Sequence, residues 1–425
     1  MKKKKTLLDL IRVGSYEEIK EALETASQDE TNEFGQTPLM VAIHASYQKE
    51  SEKIFQIVLD WTKDVNKKDV DGYSAFSHAV SLRRSSFVEK LLKRDVDVNV
   101  PCFVTVAPHH RAYEAYERDM ALKKKAVYPR CSSQKMSPLC AMIYKSYDYF
   151  VPTLVEKGAD LDSIGGLDIT PLSMAIRSDK LDIVQYLLDR GANPNILPTN
   201  WKKYAKDESE VCPVALKKAL KYGCGAAIAL LIQSGSRVPQ LFPRKEGVYS
   251  TPLTYLFSQP KEQLLETFVS LKVLKEHVDI SICDTFGRSA LSYAIENDTS
   301  DYIISYLMDD KINNKTDCFL KTPMMYAYEK RNFKVMEMLH LKGVPMANNI
   351  FSSTGKTLLT DAVLKNDDEM VSFMLKFNPS LLHKDADGKT ILDCLPENNL
   401  YFKELKELQQ QQIKKVATHL KQMND

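Results

Sequence analysis

Residues 354–357 read Thr-Gly-Lys-Thr, the closing portion of a phosphate-binding loop. In such a loop the backbone N–H groups of a glycine-rich turn cradle phosphate oxygens, and the lysine reaches the outer phosphates. That chemistry needs a second glycine five residues before Gly355, where this chain has Ile350. It also needs a buried strand leading in, and residues 346–350, MANNI, do not read as one. The triplet Gly-Lys-Thr recurs at 388–390, 33 residues after its first occurrence. A triplet that returns at this distance marks a structural register. Gly355 is expected in a turn, and Thr357 is expected to cap a helix.

Other residues could in principle do chemistry. His109 and His110, with Cys102 and Cys131 near them in sequence, could form a nucleophile–base pair or a metal site. Adjacent histidines diverge on a helix or an extended chain, so a solvated loop pair is expected instead. His44, His78, His277, His340, His383 and His419 read as lone residues. Asp309–Asp310 and Asp367–Asp368 fall in polar inter-helix segments and are expected to be solvated. Eight cysteines are scattered with no CxxC and no zinc-finger spacing, as expected of buried free thiols in a reducing compartment. No GxSxG, HExxH, kinase or dinucleotide signature occurs. The residues therefore point to no enzyme, no cofactor and no metal.

Composition narrows the partners. The 425 residues carry a net charge of +2, so no global field selects nucleic acid or an anionic membrane. The apolar run after MKKKK is broken by Asp9 and Arg12, too early for a signal peptide. No stretch approaches the roughly 20 apolar residues of a membrane span. A cytoplasmic protein is expected, with the Lys2–Lys5 run either a solvated terminus or a nuclear-entry signal.

What must position any site is a repeat. In residues 169–195, ITPLSMAIRSDKLDIVQYLLDRGANPN, Thr170 precedes Pro171 and an apolar-periodic run. A hydroxyl at the N-cap satisfies free backbone N–H groups, and proline at the first helical position lacks the N–H that would go unpaired. Leu172, Ala175 and Ile176 share a face, a polar break follows, and Leu181, Ile183, Val184, Leu187 and Leu188 make a second helix ended by Gly191. The capping position recurs at 37, 74, 137, 170, 212, 251, 289, 322, 357 and 390, the copy at 212 being weak.

This pattern resembles the ankyrin-repeat family, whose period is 33 residues and whose first-helix signature is TPLHxA. The TPL element, GADLD at 158–162 and GANPN at 191–195 carry the resemblance. It implies an all-α solenoid of paired antiparallel helices with short β-hairpin loops, about ten repeats plus caps. Residues 1–33 read as an N-terminal capping repeat and 34–100 as two repeats. Residues 101–135 read as an insertion, 136–395 as further repeats through the start of the last, and 396–425 as a C-terminal capping helix. Leu400, Leu405, Leu408, Ile413, Val416 and Leu420 are expected to form the apolar side of that helix. The family histidine after TPL is missing from every copy; Met40, Ser77, Cys140, Ser173, Thr254, Ser292, Met325, Thr360 and Asp393 stand there in the clear ones. That departure predicts looser or differently tied loops.

The resemblance implies a non-enzymatic scaffold or adaptor that binds proteins through its concave face and inserted loops, most simply as a monomer. In the first insertion Arg111 lies beside a helical stripe of Tyr113, Tyr116 and Met120, which serves either to seat the insertion or to contact a partner. Trp201 and Tyr204 flank two lysines in a second insertion, and Phe242 and Arg244 lie between prolines in a third. Aromatic and arginine side chains are common binding hot spots. These basic-aromatic neighbours could also suit single-stranded nucleic acid, which the mixed acids disfavour. The rival function is an activity built on residues 101–135. The polar tail is similar to those of effectors that intracellular bacteria secrete to engage host proteins, and it equally suits a protist scaffold. The family also suggests hydroxylation of hairpin asparagines, for which Asn66, Asn99 and Asn195 are placed.

Overall fold

The computed structural model describes residues 5–45, 50–106, 132–245, 247–259, 267–346, 350 and 354–424. The first helices of most pairs begin at a hydroxyl cap. Thr37, Ser74, Ser137, Thr170, Thr251, Ser289, Thr322 and Thr357 each accept a hydrogen bond from the backbone N–H three residues on. The chain opens with α1 (Leu7–Val13) and α2 (Tyr16–Leu23), capped by Thr6 and Ser15. Pairs then follow: α3 (Pro38–His44) with α4 (Ser51–Trp61), and α5 (Ala75–Ser81) with α6 (Ser85–Leu92). After the strands β1 (Cys102–Val106) and β2 (Ser132–Met136) come α7 (Pro138–Tyr144) with α8 (Val151–Glu156), and α9 (Pro171–Arg177) with α10 (Leu181–Asp189). The next pair is α11 (Val214–Tyr222) and α12 (Gly225–Gln233). Strands β3 (Phe242–Lys245) and β4 (Val248–Ser250) precede α13 (Pro252–Phe257) with α14 (Thr267–Lys275). The series continues through α15 (Ala290–Glu296) with α16 (Asp301–Leu307), and α17 (Pro323–Glu329) with α18 (Phe333–Leu341). It ends with α19 (Leu358–Leu364), α20 (Asp368–Leu375) and the long α21 (Phe402–Asn424).

These elements form two compact units. One comprises residues 1–199, 213–218 and 230–236; the other comprises 200–212, 219–229 and 237–425. Within each, first helices are buried almost all round, as Pro38–Ile43 and Pro323–Tyr328 illustrate. Second helices bury one face, such as Phe87, Val88, Leu91 and Leu92 of α6. Neighbouring second helices interlock; the Phe55 and Phe87 rings stack 4.0 Å apart. A single pair cannot cover its own apolar face, and stacking does so.

The loops are tied, by groups other than the missing histidine. Ser77, Ser173 and Thr254, at the position of that histidine, close reciprocal capping boxes with Ser74, Thr170 and Thr251. Five residues before the cap stands a carboxylate or amide. Asp69, Asp284, Asp317 and Asp385 each accept two hairpin N–H groups and one side-chain donor from the first helical turns: His78, Tyr293, Tyr326 and Cys394 respectively. Asn32 binds two hairpin N–H groups in the same way.

A second set of ties joins one repeat to the next. The Asn66 amide donates to Asp95 O and accepts from Asp97 N; the Asn99 amide donates to Gly158 O (3.0 Å) and accepts from Asp160 N (2.8 Å). Asn195 donates to Gly235 O. Asn99→Ala removes two inter-repeat hydrogen bonds and is expected to cost about 1–2 kcal/mol, read as a fall in the urea midpoint. Asn99→Asp, which keeps the acceptor only, should cost less.

Four sequence expectations change. Thr390 begins only a single 3-10 turn, Leu392–Cys394, where it and its own N–H both donate to Asp393. α21 buries Leu405 but leaves Ile413 and Val416 about half exposed, and Leu400 lies outside the helix and exposed. Glutamines hold this helix instead: Gln409 donates to Leu381 O, and Gln412 donates to Pro379 O and accepts from Leu381 N. Asp367 and Asp368 are engaged, the first capping α20 and pairing with Arg331, the second accepting the Tyr401 hydroxyl. Cys102, Cys140, Cys212 and Cys224 are buried free thiols, but Cys283 and Cys394 are half-buried and Cys318 is exposed.

Candidate functional site

Two histidines that read as isolated in sequence meet across neighbouring repeats of the first unit. His44 ends α3 and His78 lies in α5, and His44 Nε2 is 3.1 Å from His78 Nδ1. His78 Nε2 is 2.8 Å from Asp69 Oδ2. Asp69 can only accept as a carboxylate, so His78 donates from Nε2; in the neutral form of His78 its Nδ1 then accepts from His44 Nε2–H. Partial burial, with His78 and Arg84 nearby and Asp69 opposing, holds His44 below the ordinary histidine range.

This relay lies in a cleft of about 940 Å³. The hairpin before α3 contributes Phe34, the turn after α5 contributes Leu82 and Arg83, and β1 and β2 contribute Phe103 and Lys135. Phe34, Phe103 and Leu82 are 55%, 47% and 37% exposed, an apolar group that faces solvent in part, with Phe103 edge-on to Tyr73 at 6.3 Å. Lys135 lies over the Tyr73 ring at 5.2 Å. Lys145 donates to the carbonyls of Val80 and Ser81 at the end of α5, and burial lowers its pKa to about 8, with Arg83 adding to the shift and Cys102 opposing it.

The strands explain how the first insertion joins the repeat stack. β1 and β2 pair antiparallel from Cys102↔Met136 to Val106↔Ser132, so the two ends of the insertion leave together beside the cleft. Phe103 N donates to Ser81 Oγ and pins β1 to α5. Cys102 is fully buried, and burial raises its thiol far above the usual range, which disfavours a thiolate there. His109, His110, Arg111, Tyr113, Tyr116, Met120 and Cys131 lie outside the described residues.

The other candidate contacts belong to the second unit and separate sharply. Phe242 is not a surface anchor: it is fully buried in β3 and meets Tyr255 edge-on at 5.5 Å. An aromatic between prolines reads as a loop anchor, but β3–β4 pairing turns this one inward. Arg244 is exposed, with its guanidinium 5.1 Å from the Tyr255 ring. Trp201 is half-buried in a 3-10 turn, and Tyr204 is 37% exposed; Lys202 and Lys203 lie against their rings. Sequence reasoning missed the cleft because no local motif marks it. Its one signal is positional: His44 and His78 lie 34 residues apart, one repeat.

The phosphate-loop candidate resolves as expected. Gly355 takes a left-handed φ of +68°, Thr357 accepts from Thr360 N, and Ala386 N of the next hairpin donates to Thr354 O. Among the described residues no cluster of three or more His, Cys, Asp or Glu is arranged to hold a metal, and no helix is long and apolar enough to cross a membrane.

Capped helix pairs at a 33-residue register, tied hairpin to hairpin, define a repeat protein whose chemistry is that of surfaces. The ankyrin-repeat family models match residues 7–102 and 261–348 in multi-repeat form and 168–197 as a single repeat, together half of the chain. The chain belongs to the ankyrin-repeat family, with the all-α fold of that family, and such repeats generally mediate protein–protein interaction. It is similar to the ankyrin repeat protein FPV022 of Fowlpox virus (strain NVSL), with 24% identity over 339 residues. That match covers 77% of this chain and 57% of the viral protein, so the chain spans a little over half the length of that relative.

Proposed function

We propose that this chain is a non-enzymatic adaptor that captures a partner protein in the first-unit cleft. The observation that carries the reading is the exposure of Phe34, Phe103 and Leu82 together around one concavity. Aromatic side chains that line a hollow and give up water on contact are what binding hot spots require. Burial of Cys102 removes one of the groups a catalytic insertion would need, which favours binding over chemistry. Trp201, Tyr204 and Arg244 serve as further contacts of the second unit. The adaptor works as a monomer in the cytoplasm, and the same surface suits a bacterial effector that engages a host protein.

The test is quantitative affinity capture from a cell lysate with the wild-type chain and the Phe34→Ala/Phe103→Ala variant. Both side chains are about half exposed, so the variant is expected to keep its circular dichroism spectrum and lose at least tenfold of the captured partner. Partner recovery at the wild-type level would rule out the cleft as the capture site.

A further inference from the structure

We propose that the first-unit cleft selects an acidic segment of its partner, a carboxylate flanked by an apolar side chain, and that Arg83 makes the selection. The inference rests on the adaptor reading above and names the chemistry of the occupant. Its starting point is a strained backbone. Nine positions after the caps Ser137, Thr170, Ser289 and Thr357 the backbone takes a left-handed φ: Ser146 at 61°, Asp179 at 55°, Asp298 at 50° and Asn366 at 54°. Short polar side chains tolerate this conformation, whereas a long one is strained there by about 1–2 kcal/mol. Arg83, at 59°, and Arg331, at 55°, depart from that rule. Arg331 is occupied at home, in ion pairs with Asp367 and Glu369. Arg83 is exposed, lines the cleft, and has no ion pair with any described residue.

The surrounding charge has one sign left over. Asp69 is only 4% exposed at its side chain and is spent on His78 and two hairpin N–H groups. Asp71 is the remaining acid of the lining, against Arg83, Lys135 and Lys145. Burial is the main cause that holds His44 and Lys145 down, and nearby cations add to it: His78, Arg84 and Arg12 at His44, against Asp69, and Arg83 at Lys145, against Cys102. A carboxylate relieves that repulsion, and a guanidinium can take it with two parallel hydrogen bonds. Phe34 and Phe103 beside the cations give the neighbouring apolar side chain its place.

Fluorescence anisotropy with the full chain tests this, using three labelled peptides: Glu-Glu-Phe repeated three times, and its Gln-Gln-Phe and Lys-Lys-Phe counterparts. The glutamate peptide is expected to bind at least tenfold tighter than the glutamine peptide. Arg83→Asn, which suits the left-handed backbone, should hold or raise the melting temperature and erase that preference. Equal affinity for the glutamate and glutamine peptides, or a preference that survives Arg83→Asn, overturns the inference. If binding lacks a charge preference but is lost in Phe34→Ala/Phe103→Ala, the adaptor reading stands and only the acidic occupant fails. If none of the three peptides binds, the acidic occupant fails, and the capture experiment alone decides the adaptor reading.

Discussion

Gly355→Ala is expected to lower the stability of the second unit by about 3 kcal/mol or more, while Gly388→Ala costs about 1–2 kcal/mol, although both glycines open the same Gly-Lys-Thr triplet. Both have left-handed backbones, +68° and +77°. The difference lies in what a methyl group would meet. At Gly355 an added Cβ would sit 2.5 Å from Ala386 N and 3.0 Å from Asp385 C, backbone atoms of the next hairpin that cannot swing away. At Gly388 nothing lies within 4 Å. The clash would also break the Ala386 N to Thr354 O hydrogen bond (3.2 Å) that ties the two hairpins. Urea unfolding of the full chain measures both variants. A phosphate-binding loop predicts another pattern: added Mg-ATP would raise the wild-type melting temperature, and Lys356→Ala would abolish that rise. Equal losses for the two glycine variants, or stabilisation by Mg-ATP, would overturn the reading of this triplet as a hairpin turn.

The triplet shows why much of the fold was legible. Thr357 announces a helix start by its chemistry, and the same chemistry recurs at Thr37, Thr170, Thr251 and Thr322, so period and cap agree. The site was less legible, because it joins residues whose relation is vertical rather than local. His44 and His78 are unremarkable in their own helices and meet only once repeats stack. Phe242 failed in the opposite direction. Its neighbours Pro239 and Pro243 suggest a loop, but the pairing of Phe242 with Ser250 rotates the ring into the core. The turn at Thr390 is short because the chain leaves the helical path at Leu395, which is extended and precedes Pro396, a residue that disfavours helix at the position before it.

The hairpin carboxylates carry the second large effect. Asp317→Ala is expected to destabilise by about 3–5 kcal/mol, the range for removing one partner of a buried charge pair. The Asp317 side chain is 1% exposed. Oδ1 accepts from Phe319 N and Lys321 N, and Oδ2 accepts the Tyr326 hydroxyl at 2.5 Å. Arg288 Nε lies 3.9 Å from Oδ2, has no hydrogen-bond partner of its own, and belongs to a side chain that is 11% exposed. The Arg288 guanidinium is held between Tyr293 at 3.9 Å and Tyr326 at 4.8 Å, with Glu296 on Nη2. Removing the Asp317 carboxylate strands two N–H groups and a phenol, and takes away the more buried of the two carboxylates paired with Arg288, Glu296 being the other. Burial and the bond to Asp317 push the Tyr326 phenol far above its usual range, which favours its protonated, donating form. Tyr326→Phe, which leaves both hairpin N–H bonds in place, should cost about 1–2 kcal/mol. Asp71→Ala, an exposed acid on another hairpin, should stay within about 0.5 kcal/mol of wild type. Urea midpoints of the three variants test the order. If Asp317→Ala falls no further than Tyr326→Phe, the carboxylate is not what replaces the missing family histidine in tying these loops. If the order holds, an aspartate five residues before the cap, paired with a donor four residues after it, is the tie that this array uses instead.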